Sequence, residues 1–233
     1  MKHLVVLTGA GVSAESGLGT FRGEQDGMWN DIDPRQVASR EAWRHDREKV
    51  LQFYNMRRHR LLDAQPNHAH RAIADLEKLF RISIITQNVD DLHERAGSKN
   101  VLHLHGELTK VTSCMNPNNP VCIKTKPLDE PIMIGDKADD GSQLRPYVVL
   151  FGENVPNMAK AVEKIKAADI FVVIGTSLAV YPAAGLLKHV PDGIPRYLID
   201  PTEVEGDTDG FAHIRQNATE GMDTFIQNLT NVC

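Results

Sequence analysis

Residues 3–8 (HLVVLT) form a short, β-branched apolar run that stops at glycine, which predicts a buried strand. Runs of the same kind recur at 82–86 (ISIIT), 101–105 (VLHLH), 146–152 (PYVVLFG), 169–175 (DIFVVIG) and 196–200 (RYLID). Between them the apolar positions fall at helical spacing. Trp43, Val50, Phe53, Tyr54, Leu61 and Leu62 predict a helix over 41–62; Ala69, Ala72, Ile73, Leu76 and Leu79 predict another over 67–79. A third fits 158–168 (MAKAVEKIKAA). Strands alternating with helices imply an α/β fold with a doubly wound parallel sheet. The stretch 115–141, rich in Pro, Asn and Asp, breaks the rhythm and reads as a loop-dominated excursion. No internal repeat is visible.

Composition narrows the function classes. With 233 residues, the prior is one domain or one domain with an inserted module. Hydrophobic residues at 41 % and charged residues at 24 % exclude a mostly disordered chain. The net charge is −5 and no basic block recurs, which disfavours non-specific binding to nucleic acid or an acidic membrane. No apolar run reaches membrane-spanning length, and the opening MKHLVVLTGAG is too short for a secretory signal. Cys114, Cys122 and Cys233, sparse and odd in number, fit a reducing cytoplasm.

Candidate chemistry begins after the first strand. Gly9 to Ala14 (GAGVSA) matches G-x-G-x-x-A: Gly9 for the tight turn, Gly11 for backbone approach to a pyrophosphate, Ala14 for close helix packing. A glycine turn without ligand is the alternative. A hydride-transfer enzyme should show a second strand ending in an acid about 20 residues on. The acids there, Asp26, Asp31 and Asp33, lie in a polar turn-rich stretch, which argues against a dehydrogenase. Other strand ends carry polar groups: Gln87, Asn88, Asp90 and His93 after 82–86, His105-Gly106 after 101–105, and Thr176-Ser177 after 169–175. Strand ends of open α/β sheets converge on one crevice. His93 reads as a packed, hydrogen-bonded histidine, and His103 should face away from His105 on its strand. For His105, the strand end and the following glycine fit catalysis as well as structure.

Five blocks together carry a family resemblance: GAGVSAESGLGTFRG (9–23), TQNVDDLHERAG (86–97), LHGEL (104–108), FGENVP (151–156) and GTSLAVYPAA (175–184). In this order they resemble the sirtuins, NAD-dependent protein-lysine deacylases. The resemblance implies a Rossmann-type domain (1–30, 79–108 and 142–233) and a smaller module from insertions at 31–78 and 109–141. It implies roles as well. Gly9, Ala10, Gly11 and Ser13 would hold the diphosphate of NAD, joined by Gly175, Thr176 and Ser177. Phe21 and Arg22 would belong to a cofactor-binding loop. Gln87 and Asn88 would address the nicotinamide ribose and Asp90 the carboxamide. His105 would be the general base, with Asn88 orienting the ribose. Phe151, Gly152 and Glu153 would line the strand that pairs with an acylated-lysine protein or peptide. An ADP-ribosyltransferase and a non-catalytic NAD-binding module are the rival functions.

Departures from the family pattern matter too. Gly19 stands where proline is usual, and Asp200 where asparagine is common; Asp200 could meet the adenosine ribose or cap the turn before Pro201. The two C-x-x-C pairs of a structural zinc site are missing, since Cys114 and Cys122 lack that spacing, so no zinc is expected. Finally, Tyr54 and Arg57 resemble the Y-x-x-R pair of sirtuins that remove succinyl and malonyl groups. Their i, i+3 spacing puts both on one helix face, where they could bind a distal carboxylate. A core Tyr beside a solvated Arg run is the alternative.

Overall fold

The computed structural model describes residues 1–19, 33–205 and 207–230. In chain order the strands are β1 (His3–Thr8), β2 (Arg81–Thr86), β3 (Val101–His103), β4 (Gly106–Ser113), β5 (Lys124–Thr125), β6 (Leu144–Val148), β7 (Ile170–Ile174), β8 (Arg196–Ile199) and β9 (Ala212–Ile214). The helices are α1 (Gly11–Ala14), α2 (Arg40–His45), α3 (Arg47–Asp63), α4 (His68–Asp75), α5 (Leu92–Arg95), α6 (Met158–Lys166) and α7 (Ala218–Thr230).

Six strands form one parallel sheet in the order β3-β2-β1-β7-β8-β9. This is the Rossmann-type strand order, and it reverses between β1 and β7. Burial on both faces explains why the strands read as unbroken apolar runs. Residues alternate between the faces. Leu4 and Val6, Ile82 and Ile84, and Val172 and Ile174 pack against α4 and α7. Val5, Leu7, Ile85, Phe171 and Val173 pack against α6 on the other side. A third cluster joins Trp43, Val50, Phe53, Tyr54 and Leu61 of the α2–α3 segment to Leu108, Val111 and Val148 of an antiparallel sheet ordered β5-β4-β6. That small sheet draws strands from both sides of the divisions expected near residues 108 and 142. No helix among the described residues is long and apolar enough to cross a membrane.

Three expectations about elements change. The helix over 41–62 is two, because Asp46 leaves helical geometry (φ −147°, ψ 77°) and its carboxylate accepts the Lys49 N–H at 2.9 Å to start α3. The run 101–105 pairs only to His103; the chain then turns at Gly106 (φ 84°), where a Cβ would collide with the Tyr147 backbone. The run 146–152 supplies β6 to the small sheet, not a strand to the large one. The segment 115–141 is mostly turns, with β5 its one strand. Strands β4 and β9 and helix α7 have no counterpart in the sequence expectations.

Candidate active site

At the reversal of strand order, the ends of β1 and β7 meet directly. Gly9 N–H donates to Ile174 O at 3.0 Å and Gly11 N–H to Gly175 O at 2.8 Å. A Cβ on Gly11 would lie 2.6 Å from the Gly175 Cα, so the bare space there is filled by the chain's own second loop. Gly9, Ala10, Gly11 and Gly175 thus weld the floor of the crevice, and α1 above it is one turn long.

The side chains around this floor are already bonded to one another. Ser13 Oγ accepts from Asn88 Nδ2 at 3.1 Å and donates to Asp90 Oδ2 at 3.1 Å. Gln87 Nε2 donates to Thr176 Oγ1 at 3.0 Å, tying the ends of β2 and β7 across β1. Burial pushes the Asp90 carboxyl above its ordinary range, opposed by donors from Leu92 N–H and Ser13 and by the charge of His103. His105 Nδ1 lies 2.9 Å from Gln87 O. A carbonyl only accepts, so Nδ1 carries the proton and Nε2 holds the lone pair. Burial lowers the pKa of His105, partly offset by that carbonyl bond. The ring therefore stays neutral and basic somewhat below the usual histidine range.

Phe21 and Arg22 lie outside the described residues. Ser177 follows Thr176 at the end of β7, its carbonyl taken by Glu205 N–H at 3.0 Å. Asp200 Oδ1 accepts from Thr202 N–H at 3.0 Å and Thr202 Oγ1 at 2.8 Å, the turn-capping arrangement. His93 is packed, its Nε2 3.1 Å from Thr8 Oγ1.

The residues expected to meet the acylated substrate are bonded largely within the chain. Phe151 N–H donates to Ala38 O at 2.8 Å and Phe151 O accepts Arg40 N–H at 2.9 Å, so its backbone is spent within the chain. Glu153 is gripped bidentately by the buried Arg145 at 2.7 and 2.8 Å and accepts Leu150 N–H at 2.9 Å. Burial pushes its carboxyl up, but Arg145 outweighs this and holds it low. Of the three residues expected to pair with substrate, only Gly152 (φ 88°) lacks such a structural assignment. Tyr54 is buried and its phenol pKa is pushed up to about 12 by that burial. Burial lowers the pKa of Arg57, opposed by the charges of Tyr54 and Asp90, while its Cζ sits 5.9 Å from the Phe53 ring centroid. Within the run 57–60, Arg57 is half-buried, Arg58 buried, and His59 and Arg60 exposed. Arg58 is fully buried and binds the carbonyls of Leu108, Lys126 (3.2 Å), Pro127 (2.5 Å) and Glu130 (3.4 Å).

Sequence reading missed Arg145, the Asn67–His70 capping box beneath Ser13, and the bond between His103 and Glu94. The Asn67–His70, Glu94–His103 and Arg145–Glu153 partners lie 3, 9 and 8 residues apart, so each pairing depends on how a local turn folds, and only the Asn67 cap before a helical run signals itself in the sequence. Cys114 and Cys122 are free thiols, and the described residues hold no cluster of three or more His, Cys, Asp or Glu that could hold a metal.

The model of the Sir2 family matches residues 9–182. A protein from Bacteroides thetaiotaomicron named NAD-dependent protein deacylase is 54 % identical over 231 residues, 98 % of each chain. One of the same name from Helicobacter pylori strain 26695 is 49 % identical over 217 residues, 93 % of this chain and 90 % of that one. Among solved structures, a Sir2 homolog–NAD complex superposes with a TM-score of 0.83 at 42 % identity, covering 99 % of this chain and 90 % of that one.

Proposed function

Since the chain belongs to the Sir2 family, we propose that, as an NAD-dependent protein deacylase, it favours succinyl and malonyl groups over acetyl. One observation carries this preference: Tyr54 and Arg57 lie an i, i+3 step apart on α3, and the half-buried Arg57 guanidinium lies within the field of Asp90, at the crevice. A guanidinium and a phenol converging there would bind a distal carboxylate, the Arg bidentately. Acetyl offers them no anion.

The crevice suits a dinucleotide. Hydroxyls of Ser13 and Thr176, amides of Gln87 and Asn88 and the carboxylate of Asp90 provide both donors and acceptors, as a ribose diol and a carboxamide require. Bound NAD would supply the sugar carbon that receives the acyl oxygen as nicotinamide departs, and the acyl group would leave on ADP-ribose. Within that reaction Asn88, braced by Ser13, orients the ribose, and His105 Nε2 takes the proton from its hydroxyl. A neutral imidazole near operating pH suits that task. Gly152 and its neighbours border the substrate backbone, while Arg145 fixes their loop through Glu153. In this reading the smaller module gathers α2, α3 and the β5-β4-β6 sheet, whereas α4 packs on the large sheet.

The residues do not fit a tetrathiolate zinc, with Cys114 and Cys122 the cysteines near the module. In our reading a hydrogen-bonded hub serves there instead. Ser113 Oγ accepts Met115 N–H at 3.0 Å and Asn116 N–H at 2.9 Å and donates to Asp140 at 2.5 Å.

The test is incubation with NAD and succinyl-, malonyl- or acetyl-lysine peptides, with product masses and specificity constants. O-acyl-ADP-ribose with a preference for the acidic groups is expected. Equal turnover of acetyl would remove the preference, ADP-ribosylated protein would favour a transferase, and unchanged NAD a binding module.

A further inference from the structure

His103 and His105 stand one residue apart and reach consecutive carbonyls of the same turn. His105 Nδ1 meets Gln87 O at 2.9 Å, and His103 Nδ1 meets Asn88 O at 3.1 Å. The likeness ends at the second nitrogen. His103 Nε2 lies 2.9 Å from Glu94 Oε1 on α5, while the His103 ring itself is buried. We propose that His103 is a positioning residue, whose paired bonds to Asn88 and Glu94 hold the 87–90 turn in the geometry that receives the nicotinamide ribose. This rests on the reading that Asn88 and Asp90 serve that end of NAD.

The protonation follows from the partners. A carbonyl and a carboxylate are both acceptors, so both ring nitrogens must donate, and only the imidazolium does that. A neutral ring could keep one partner only, and the lone pair on its other nitrogen would face an acceptor. Burial alone would lower the His103 pKa, but the bond to Glu94, its charge and that of Glu107 outweigh this and raise it. The charged and titratable groups facing the ring are Glu94 and His93 on α5, Glu107 on β4, and Asp90 and Asp91 in the turn before α5. Glu107 is shared with Lys110 at 2.7 Å, which leaves Glu94 as the principal counter-charge. The imidazolium also favours the ionised form of buried Asp90. Asn157 Nδ2 holds the His103 carbonyl at 2.8 Å, fixing the ring's own backbone. Asn88 is thus fastened at three points: Nδ2 to Ser13, N–H to Thr86 Oγ1 at 3.0 Å, and O to His103.

The role predicts a pH signature. A group with a raised pKa contributes below that pKa and is lost as pH rises through it. The pH profile of kcat/KM for NAD should therefore fall on the alkaline side as His103 deprotonates. Glu94→Gln, near the surface and similar in shape, should move this alkaline fall toward lower pH by about one unit or more. At pH 8 it should lower kcat/KM for NAD about tenfold, with a smaller change in kcat at saturating NAD. The acid limb, belonging to His105, should stay in place. His103→Asn keeps an N–H donor where Nδ1 stood and does not titrate, so its profile should lose the alkaline fall and stay within a few-fold of wild type at neutral pH. His103→Leu should not recover in this way.

Ring 15N shifts of His103 provide a readout that needs no turnover. Titration above 6.5, shifted down in Glu94→Gln, supports the proposal. Titration at or below 6.5, or an alkaline fall unmoved in both Glu94→Gln and His103→Asn, overturns it. Absence of NAD turnover in the wild type with every acyl peptide would instead count against the deacylase reading, and the ring titration would then decide on the ion pair alone.

Discussion

The crevice at the β1–β7 junction and the module built on α3 and the β5-β4-β6 sheet are organised by opposite means. In the crevice almost every polar side chain is bonded to another crevice residue: Ser13 to Asn88 and Asp90, Gln87 to Thr176, His105 to the Gln87 carbonyl. These bonds hold the crevice side chains in fixed positions, as the proposed proton transfer and ribose orientation demand. In the module, polar side chains mostly bind backbone. Arg58 collects four carbonyls, Asn55 pairs with both the N–H and C=O of Ile132, and Ser113 caps its own turn. Those bonds hold loops in place. On the proposed function, chemistry belongs to the first region and selectivity to the second, so variants in each should fail differently.

The largest effect should follow from His105→Ala. Loss of a positioned general base costs about a hundred- to ten-thousandfold in turnover. Binding of NAD, measured by calorimetry, should remain, because the crevice's other bonds do not pass through this ring. In the wild type, the lowered pKa of His105 places the acid fall of kcat/KM below pH 6.5, and activity decreases as pH drops through that point. Near-normal turnover of the variant would remove His105 from the chemistry.

Next in size is Arg57→Met in the module. Losing charge-assisted bonds of about 1.5–3 kcal/mol should lower the specificity constant for succinyl-lysine roughly ten- to a hundredfold. Acetyl-lysine should change little. Equal losses on both substrates would mean that Arg57 supports the crevice as a whole, which would erase the division between the two regions.

How far the sequence foretold each region follows the same line. The sheet was legible because β1, β2, β7 and β8 are buried on both faces and so read as uninterrupted apolar runs. The same property hid the destination of 146–152, since an apolar run does not say which strand it will join; Pro146 and Arg145 enter β6 of the small sheet instead. Helix α7 shows its period in Met222, Phe225 and Leu229, all buried, a signal the sequence does carry. Candidate site residues at strand ends could be collected from motif blocks, because strand ends converge. Roles that depend on which way a side chain turns could not. Arg57 and Arg58 are adjacent, yet one is half-buried within the field of Asp90 and the other fully buried against the module loop. Glu153 sits in a substrate-like motif but spends its carboxylate on Arg145.

The smallest effect, and the one that most sharpens the contrast, concerns what holds 113–142 together. A structural zinc would make the module's stability depend on metal, whereas the Ser113 hub makes it depend on ordinary hydrogen bonds. Ser113 is fully buried, so truncating it leaves the Met115 and Asn116 N–H groups without their acceptor. Asp140 sits at the edge of the hub, its carboxyl held well below the usual range by bonds from Ser113 and Ser142. Ser113→Ala should therefore destabilise the protein by about 1–3 kcal/mol, since the hydroxyl makes several hydrogen bonds, each with a net contribution of about 0.5–1.5 kcal/mol. For a chain of this size that is a fall in Tm of roughly 2–12 °C. Chelator should leave the wild-type Tm unchanged, and metal analysis of the purified protein should find well under one zinc per chain. The crevice should be indifferent to the change, so kcat/KM for acetyl-lysine at a temperature well below the transition should stay within about twofold. Stoichiometric zinc, or a Tm that chelator lowers, would replace the hub with a metal site. Unaltered Tm in Ser113→Ala would leave the turn to the backbone of β4 and β6 alone.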